Sequence, residues 1–569
     1  MKNIVYILKL AFVSFLISGC TDQFDEINRN DHEHQTATPE LLFPGVVKKT
    51  LDFVNGQMED RMFLQYSHYV SVSGGDFANY FYTDVTISQW WNNSYVDILN
   101  NNQSIIDAYK EDSLYTNRVQ MAEIWKGYVM SVVVGTWGPA PYDQALRQSL
   151  SIDYESEQDI VEGVLSHLNE AYIKMGEGVD TMNDPIFQGD IQKWRKFANT
   201  LMLKLALRYQ YTSAEIVDFG KLAMSREADL IADESETVKA AWGPAEENWN
   251  HFYRAYIHTN PILSLRLNHF FLMYMRDLKD PRISAYADAP VQDYIVQDTV
   301  SRQDGAELVI QYAAPFVGRP KTPTADNNWA VNDQFNPYSG YGQDSYSNIS
   351  QEYYAKDFAP TIISYAEACF LKAEAKLLHW GGGKDAKQYY EEGIQASLTS
   401  KGMGDKYMEY IQNDGVAWGS SSNGVNDFRN IVNSKIDRGP FQQVITQRWI
   451  ASFFQGFDAW CLIRRTNVFD VPPHFNAVSR IGLPTEMPER MLYPSIESRL
   501  NSVGYQQGLS YLGGVDYLDV PLELSTPKTP KDWSNMIPTM NTEAIQYWYG
   551  NTIEEVDASG VEYRIVEEL

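Results

Sequence analysis

Apolar side chains return every three to four residues in segment after segment of this chain, which confines it to a mostly α fold. Along 157–175, Ile160, Val161, Val164, Leu165, Leu168, Ala171 and Tyr172 share one face. Along 190–210 the face is Trp194, Phe197, Ala198, Leu201 and Leu205, with Asp190 placed to cap the first turn. Residues 118–134 repeat the pattern through Ile124, Trp125, Tyr128 and Val132. A helix is expected from Pro360 to about Trp380, stopped by Gly381-Gly382-Gly383. A second should run from about Lys384 to Thr399, and another over 441–456. In 361–399, Ala366, Ala368, Ala373 and Ala375 let two helices approach closely. Ala386, Tyr389, Tyr390 and Ala396 answer from the second helix, giving a tetratricopeptide-type hairpin. No clean repeat of about 34 residues recurs elsewhere. Strand-like alternation is short, as around Glu307–Tyr312.

The N-terminus is a leader. Met1-Lys2 is followed by an apolar run from Ile4 to Ile17, broken by Lys9 and Ser14, that ends in Ile17-Ser18-Gly19-Cys20. The run is too short to cross a hydrocarbon core of about 30 Å comfortably. Small residues before Cys20 mark a secretory cleavage site. The Cys at the cut resembles the bacterial lipobox, in which signal peptidase leaves an acylated Cys. One chain anchors weakly and more than one anchors stably, so a triacylated Cys20 implies a folded body on a lipid tether. The expected organisation is a signal peptide over 1–19, a lipid-anchored linker over 20–40 and one domain over 41–569.

Hydrophobic residues make up 44% of the chain, enough for a large core, and the formal net charge is -28. That charge repels nucleic acid and anionic lipid, and argues against both as partners. Cys369 and Cys461 lie in apolar helical patterns and read as core thiols.

Aromatic residues gather in stretches rich in turn formers. Phe77, Tyr80, Phe81, Tyr82, Trp90, Trp91 and Tyr95 sit among Gly74, Gly75, Asn79, Asn92, Asn93 and Ser94. Trp329, Phe335, Tyr338, Tyr341, Tyr346, Tyr353 and Tyr354 form a second group, and Trp242, Trp249, Phe252, Tyr253 and Tyr256 a third. A sugar ring has an apolar C–H face and a fringe of hydroxyls. Tyr and Trp supply flat platforms with a polar tip, and Asn, Asp and Gln supply paired donors and acceptors. The expected ligand residues are therefore Trp90, Trp91, Asn92, Asn93, Trp329, Tyr338 and Tyr341, all in loops. A peptide ligand would call instead for backbone edges and apolar pockets.

Other constellations carry less. Asp326, Asn327, Asn328, Asn332 and Asp333 form an oxygen-rich run without the spacing of an EF-hand. His32 and His34 flank Glu33. Glu246-Glu247 are sequence neighbours, whereas glycosidase carboxylates face each other across about 5–9 Å. No HExxH, GxSxG or phosphate-binding loop is present. The expectation is a binding protein, with no enzyme activity, cofactor or metal.

Six ordered segments resemble the SusD/RagB family of Bacteroidetes outer-membrane lipoproteins, in its second SusD-like branch. They are Thr136–Tyr142; Gly189–Leu201 with Leu205–Arg208; Lys279–Arg282; Ser364–Ala375; Gln447–Ala451 with Gln455–Trp460 and Arg464–Thr466; and Pro488–Pro494 with Glu497 and Asn501. On their own chemistry these residues are scaffold: Trp194, Trp449 and Trp460 suit helix packing, and Arg448, Arg464, Arg465 and Arg490 suit Glu367, Glu374 or Glu497. The resemblance implies a helical tetratricopeptide scaffold with long loops and little β structure, displayed at the cell surface. It also implies a partner, a SusC-like TonB-dependent transporter, to which a captured nutrient is handed. That nutrient is usually a glycan, with a peptide as the RagB-like alternative. The acidic stretch Thr21–Glu26 is either a solvated linker or a surface-export signal of such lipoproteins.

Overall fold

The computed structural model describes residues 39–72, 82–143, 152–176, 184–240, 245–259, 265–290, 295–301, 307–313, 346–424, 432–469, 488–526 and 562–566, and a few single positions or pairs between them. Helices dominate. In chain order the principal ones are α1 (Pro39–Asp52), α2 (Asp84–Asn92), α3 (Asn100–Tyr109), α4 (Thr116–Trp137), α5 (Glu157–Lys174), α6 (Ile191–Arg208), α7 (Ala214–Ser225), α8 (His269–Asp277), α9 (Tyr365–Leu377), α10 (Ala386–Ser400), α11 (Pro440–Ala451), α12 (Gly456–Thr466) and α13 (Ser502–Tyr511). Polar side chains start many of them by taking orphan N–H groups of the first turn. Asp190 accepts from Gln192 and Lys193 at the head of α6. Ser364 accepts from Glu367 at the head of α9, and Asp385 forms a reciprocal capping box with Gln388 at the head of α10.

Neighbouring helices pack as α4 on α5, α5 on α6, α6 on α7 and α9 on α10. The last pair is the expected hairpin. Its close approach depends on Gly393, where an added Cβ would lie 2.8 Å from the Phe370 ring. Gly381 and Gly382 stop the turn after α9 at φ +117° and +99°, a region only glycine enters freely.

Two hydrophobic cores result. One gathers Trp125, Trp137, Trp194 and Trp460; the other gathers Phe271, Trp449, Phe453 and Tyr389. Helices α9 and α12 serve both. Ala368 and Leu371 face the first while Phe370 and Ala373 face the second, and Trp460 and Leu462 divide in the same way. A buried ionic seam runs through the same helices. Lys204 of α6 contacts Glu367 at 3.2 Å and Asp458 at 2.6 Å. Arg448 of α11 contacts Glu367 at 2.8 Å, and Arg465 of α12 grips Glu374 with both arms at 2.6 Å.

The family-like segments pack on one another as scaffold. Arg490 Nε donates to the Trp137 carbonyl at 3.1 Å and the Met491 N–H to that of Thr136 at 2.7 Å. Arg464 donates to the Gly135 carbonyl rather than to a carboxylate. Glu497 takes the Tyr154 hydroxyl instead of an arginine. Arg282 holds Asp280 within its own motif.

Several boundaries differ from expectation. The helix expected after Pro360 begins at Tyr365, because Thr361–Ile363 pairs as a strand with Val238–Lys239. The helix expected over 441–456 stops at Ala451, and α12 starts separately at Gly456. The alternation near 307 is a strand: Glu307–Ala313 pairs antiparallel with Ile295–Ser301 and parallel with Glu562–Val566. Cys369 and Cys461 are buried free thiols, and burial pushes the Cys369 thiol up to about 12.

Candidate functional site

Trp90 and Trp91 lie buried in a helix rather than in the loop expected for them. Both belong to α2, begun by Thr83, whose hydroxyl accepts from the Thr86 N–H at 3.2 Å. A π-helical segment, Asn93–Leu99, continues the same axis. Trp90 is 0% exposed against Tyr82, and Trp91 is 4% exposed. The Trp91 ring lies 4.7 Å from Tyr95, 5.5 Å from Trp137 and 6.0 Å from both Tyr154 and Tyr493. Burying rings this large in the helix interface returns more apolar area than a solvent-facing loop could. Asn92 is exposed and Asn93 half-buried at the end of this helix. Trp329, Tyr338 and Tyr341 lie outside the described residues, as do Cys20, Trp242, His32, His34 and the run Asp326–Asp333.

A small platform assembles where several aromatic-bearing stretches meet the body. Strands Val70–Ser71 and Arg266–Leu267 pair antiparallel. The Arg319 N–H donates to the Leu267 carbonyl at 2.7 Å, and the Leu267 N–H to the Ser347 carbonyl at 2.9 Å. The Ser71 hydroxyl donates to the Arg319 carbonyl at 3.0 Å. The Arg319 guanidinium carbon sits 5.7 Å from the centre of the Tyr346 ring.

Beside it stands the third aromatic group. Asn250 caps a short helical turn, accepting from the Tyr253 N–H at 3.0 Å, and the chain continues as a π-helical turn over Arg254–Thr259. Phe252 is buried against Phe454 and pins the segment. Trp249 and Tyr253 stay partly open to solvent, edge to face with centroids 4.9 Å apart. The exposed His258 ring is 5.1 Å from Trp249. The exposed Lys356 places Nζ 4.9 Å from the Trp249 centroid and 5.3 Å from that of Tyr253, a cation held by two π faces. The Asn250 N–H reaches the Lys356 carbonyl at 3.1 Å, which fixes the cation's backbone to the same segment.

Asp60 supports this segment from behind. It sits on the π-helical stretch Phe53–Phe63 and accepts from the Tyr256 hydroxyl and from His251 Nε2, the latter at 3.0 Å. Tyr256 in turn meets Tyr354 at 5.8 Å. Burial pushes the Tyr354 phenol up, with Asp60 adding to the rise and Arg266 opposing it. Tyr354 therefore joins the aromatic segment to the strand platform. The aromatic group was visible in the sequence. Lys356 was not, because nothing in a sequence ties a lysine to a tryptophan more than a hundred residues earlier.

Glu246 and Glu247 sit side by side on one exposed short turn and face no gap between them. Among the described residues no group of three or more His, Cys, Asp or Glu is placed to hold a metal.

Stacked helical hairpins, with a partly open aromatic group on a short helical segment, define a tetratricopeptide-type scaffold. The chain belongs to the SusD-like family: residues 30–494 match the model SusD-like 2, described as starch-binding associating with outer membrane. The family description associates the chain with the outer membrane. No helix among the described residues is long and apolar enough to cross one. No curated protein matches the chain. Among solved structures, a chitin-binding SusD homologue from Flavobacterium johnsoniae is 22% identical with a TM-score of 0.68, covering 86% of this chain and 99% of its own. A SusD homologue from Bacteroides uniformis is 20% identical with a TM-score of 0.67, covering 85% and 99%. A Bacteroidetes SusD-like protein is 18% identical with a TM-score of 0.69, covering 86% and 100%. These likenesses establish the fold.

Proposed function

We propose that this chain is a surface lipoprotein that captures an oligo- or polysaccharide and delivers it to a SusC-like TonB-dependent transporter. The observation that carries the reading is the Trp249–Tyr253 pair. It is a partly open aromatic surface, fixed to the scaffold through Phe252, Asp60 and the Lys356 backbone. Such a surface matches the C–H face of a sugar, and Asn248 and His258 lie within the same segment to meet hydroxyls. The family description, starch-binding, supports a saccharide ligand, as does the likeness in fold to a protein titled chitin-binding. The role is binding, not catalysis. Trp329, Tyr338 and Tyr341 stand as further candidates on sequence grounds alone.

Calorimetry against a panel of polysaccharides and peptides tests this. Trp249→Ala should weaken the identified saccharide about tenfold and leave the fold intact. A ligand bound equally well by this variant removes the site from Trp249, and a panel in which only peptides bind removes the saccharide. Cys20→Ala should release the protein from membranes when the transporter is absent. A pull-down in mild detergent should recover a barrel of transporter size with the parent protein.

A further inference from the structure

We propose that the Trp249 site contains an anion subsite, centred on Lys356 with Arg254 of the Trp249 segment adding positive charge, that reads a carboxylate or sulfate on the sugar. The inference rests on the assignment of Trp249 and Tyr253 as the saccharide surface and adds the substrate class.

Lys356 is exposed, and its ammonium engages only the two ring faces. Among the described residues no carboxylate lies within 4.0 Å of it, although most lysines along the described surface are ion-paired, as Lys384 is with Glu392 and Lys401 with Glu352. Contact with two π faces fixes the cation's position without consuming its N–H donors, so all three remain for an acceptor. Arg254, one residue beyond Tyr253, has no ion pair either. Its Nη2 donates to the Glu246 and Glu247 carbonyls at 2.8 and 3.1 Å, and its Nε is shut from water without an acceptor. The two carbonyls hold the guanidinium in place and leave its charge uncompensated.

Asp60, behind the segment, is taken by Tyr256 and His251. Asp52 is committed to Lys48. Glu246, Glu247 and Asp357 are exposed, and none reaches ion-pair distance of Lys356 or Arg254. An exposed carboxylate beyond ion-pair distance is a weak competitor for a directly bonded anion. The chain's net charge of -28 repels an acidic polymer at long range. At physiological ionic strength that repulsion is screened beyond about 8 Å. The residues in contact with the ligand then decide the sign. A sugar whose ring lies on Tyr253 or Trp249 would bring a substituent at the ring edge to the Lys356 ammonium.

The full chain, purified in detergent, can be titrated with polygalacturonate, alginate and chondroitin sulfate, and with each polymer after its carboxylates have been reduced or its sulfates removed. At least one acidic polymer should bind tenfold or more tighter than its neutral form. Lys356→Met, which keeps the apolar stem, should erase that preference, and Lys356→Glu should invert it. Preference for none of the three acidic polymers, or a preference that survives Lys356→Met, overturns the anion subsite. Poly-glutamate competing as well as the polysaccharide overturns its saccharide character. The saccharide surface is judged separately: if Trp249→Ala leaves binding of acidic and neutral polymers unchanged, that surface is elsewhere.

Discussion

Glu59 accepts the backbone N–H of Gly456 at 2.8 Å and that of Phe457 at 3.2 Å, so a carboxylate from the π-helical segment near the N-terminus closes the first turn of α12, 397 residues later. The fit is close. A Cβ at Gly456 would lie 2.5 Å from Glu59 Oε2. Burial pushes the Glu59 carboxyl up to about 8, outweighing the two N–H bonds that favour its charged form. The raised value means the folded state holds a proton that the unfolded chain releases near 4.5. Stability from this group is complete below about 4.5 and lost as pH rises through about 8. Glu157, also held near 8 by burial, pulls the same way. Denaturation curves should show the parent weakening from pH 5 to 9, with Glu59→Gln flattening part of that slope. A variant with the parent's slope would exclude Glu59 as a source.

Asp458 titrates in the opposite sense. Burial alone would raise it, but Lys204 and Arg208 hold it below the usual carboxylate range. Its contribution is present above the ordinary Asp value and is lost as pH falls through the lowered one. Asp458→Asn should therefore lose stability near neutrality and show a shallower acid limb than the parent. An acid limb of unchanged steepness would place the acid sensitivity in other carboxylates.

The period of the helices was legible because packing against a core imposes it. Trp194 and Leu201, or Val164 and Leu168, could be placed from spacing alone, and Asp190 caps where a short polar side chain before an apolar face should. The aromatic stretch that ends at Tyr95 reads as a loop, yet from Asp84 onward it is helical. Ile87, Trp90, Trp91, Ser94, Tyr95 and Ile98 keep a helical spacing, but Asn92, Asn93 and Ser94 have turn chemistry and interrupted the apolar run. Burial of two tryptophans outweighed those local preferences, which are worth only tenths of a kcal/mol each. Arg448 and Arg465 found the carboxylates their charge demanded. Arg464 did not, because carbonyls freed at the end of α4 were nearer. Partnerships at the site, such as Asp60 with Tyr256, leave no mark at the sequence level.

Arg465 and Glu374 are both almost fully buried and paired; Glu374 also lies 3.5 Å from Arg448, which keeps Glu367 as its closer partner. Glu374→Ala leaves a guanidinium in the core, a change expected to cost about 3–5 kcal/mol. Replacing the pair together, as Glu374→Leu with Arg465→Met, should recover much of that loss. A double-mutant cycle measures the difference. Additive losses would show that the pair is not coupled.

Asp60 touches the aromatic segment only through Tyr256 and His251. Asp60→Ala should speed amide exchange across residues 250–258 and weaken saccharide binding, with a smaller drop in melting temperature than Glu374→Ala. Unchanged exchange there would mean that Phe252 and the Asn250 bond to the Lys356 carbonyl pin the segment without Asp60.

Trp91 and Trp249 make opposite predictions from the same side chain. Trp91 is packed among Tyr95, Trp137, Tyr154 and Tyr493, so Trp91→Ala opens a cavity in a rigid aromatic cluster and should cost about 3–5 kcal/mol of stability. If the weakened protein still folds, its affinity per folded molecule should match the parent. Trp249 is partly open and its segment is held by Phe252 and Asp60, so truncation leaves the helical cores untouched. The lost stacking surface should cost about 1–2 kcal/mol of binding, by analogy with bases stacked on aromatic rings at about 1–3 kcal/mol. Thermal melts and titrations of the two variants side by side separate the roles. A stable Trp91→Ala protein with weakened binding would return the site to α2, and an unfolded Trp249→Ala protein would make that indole a packing residue.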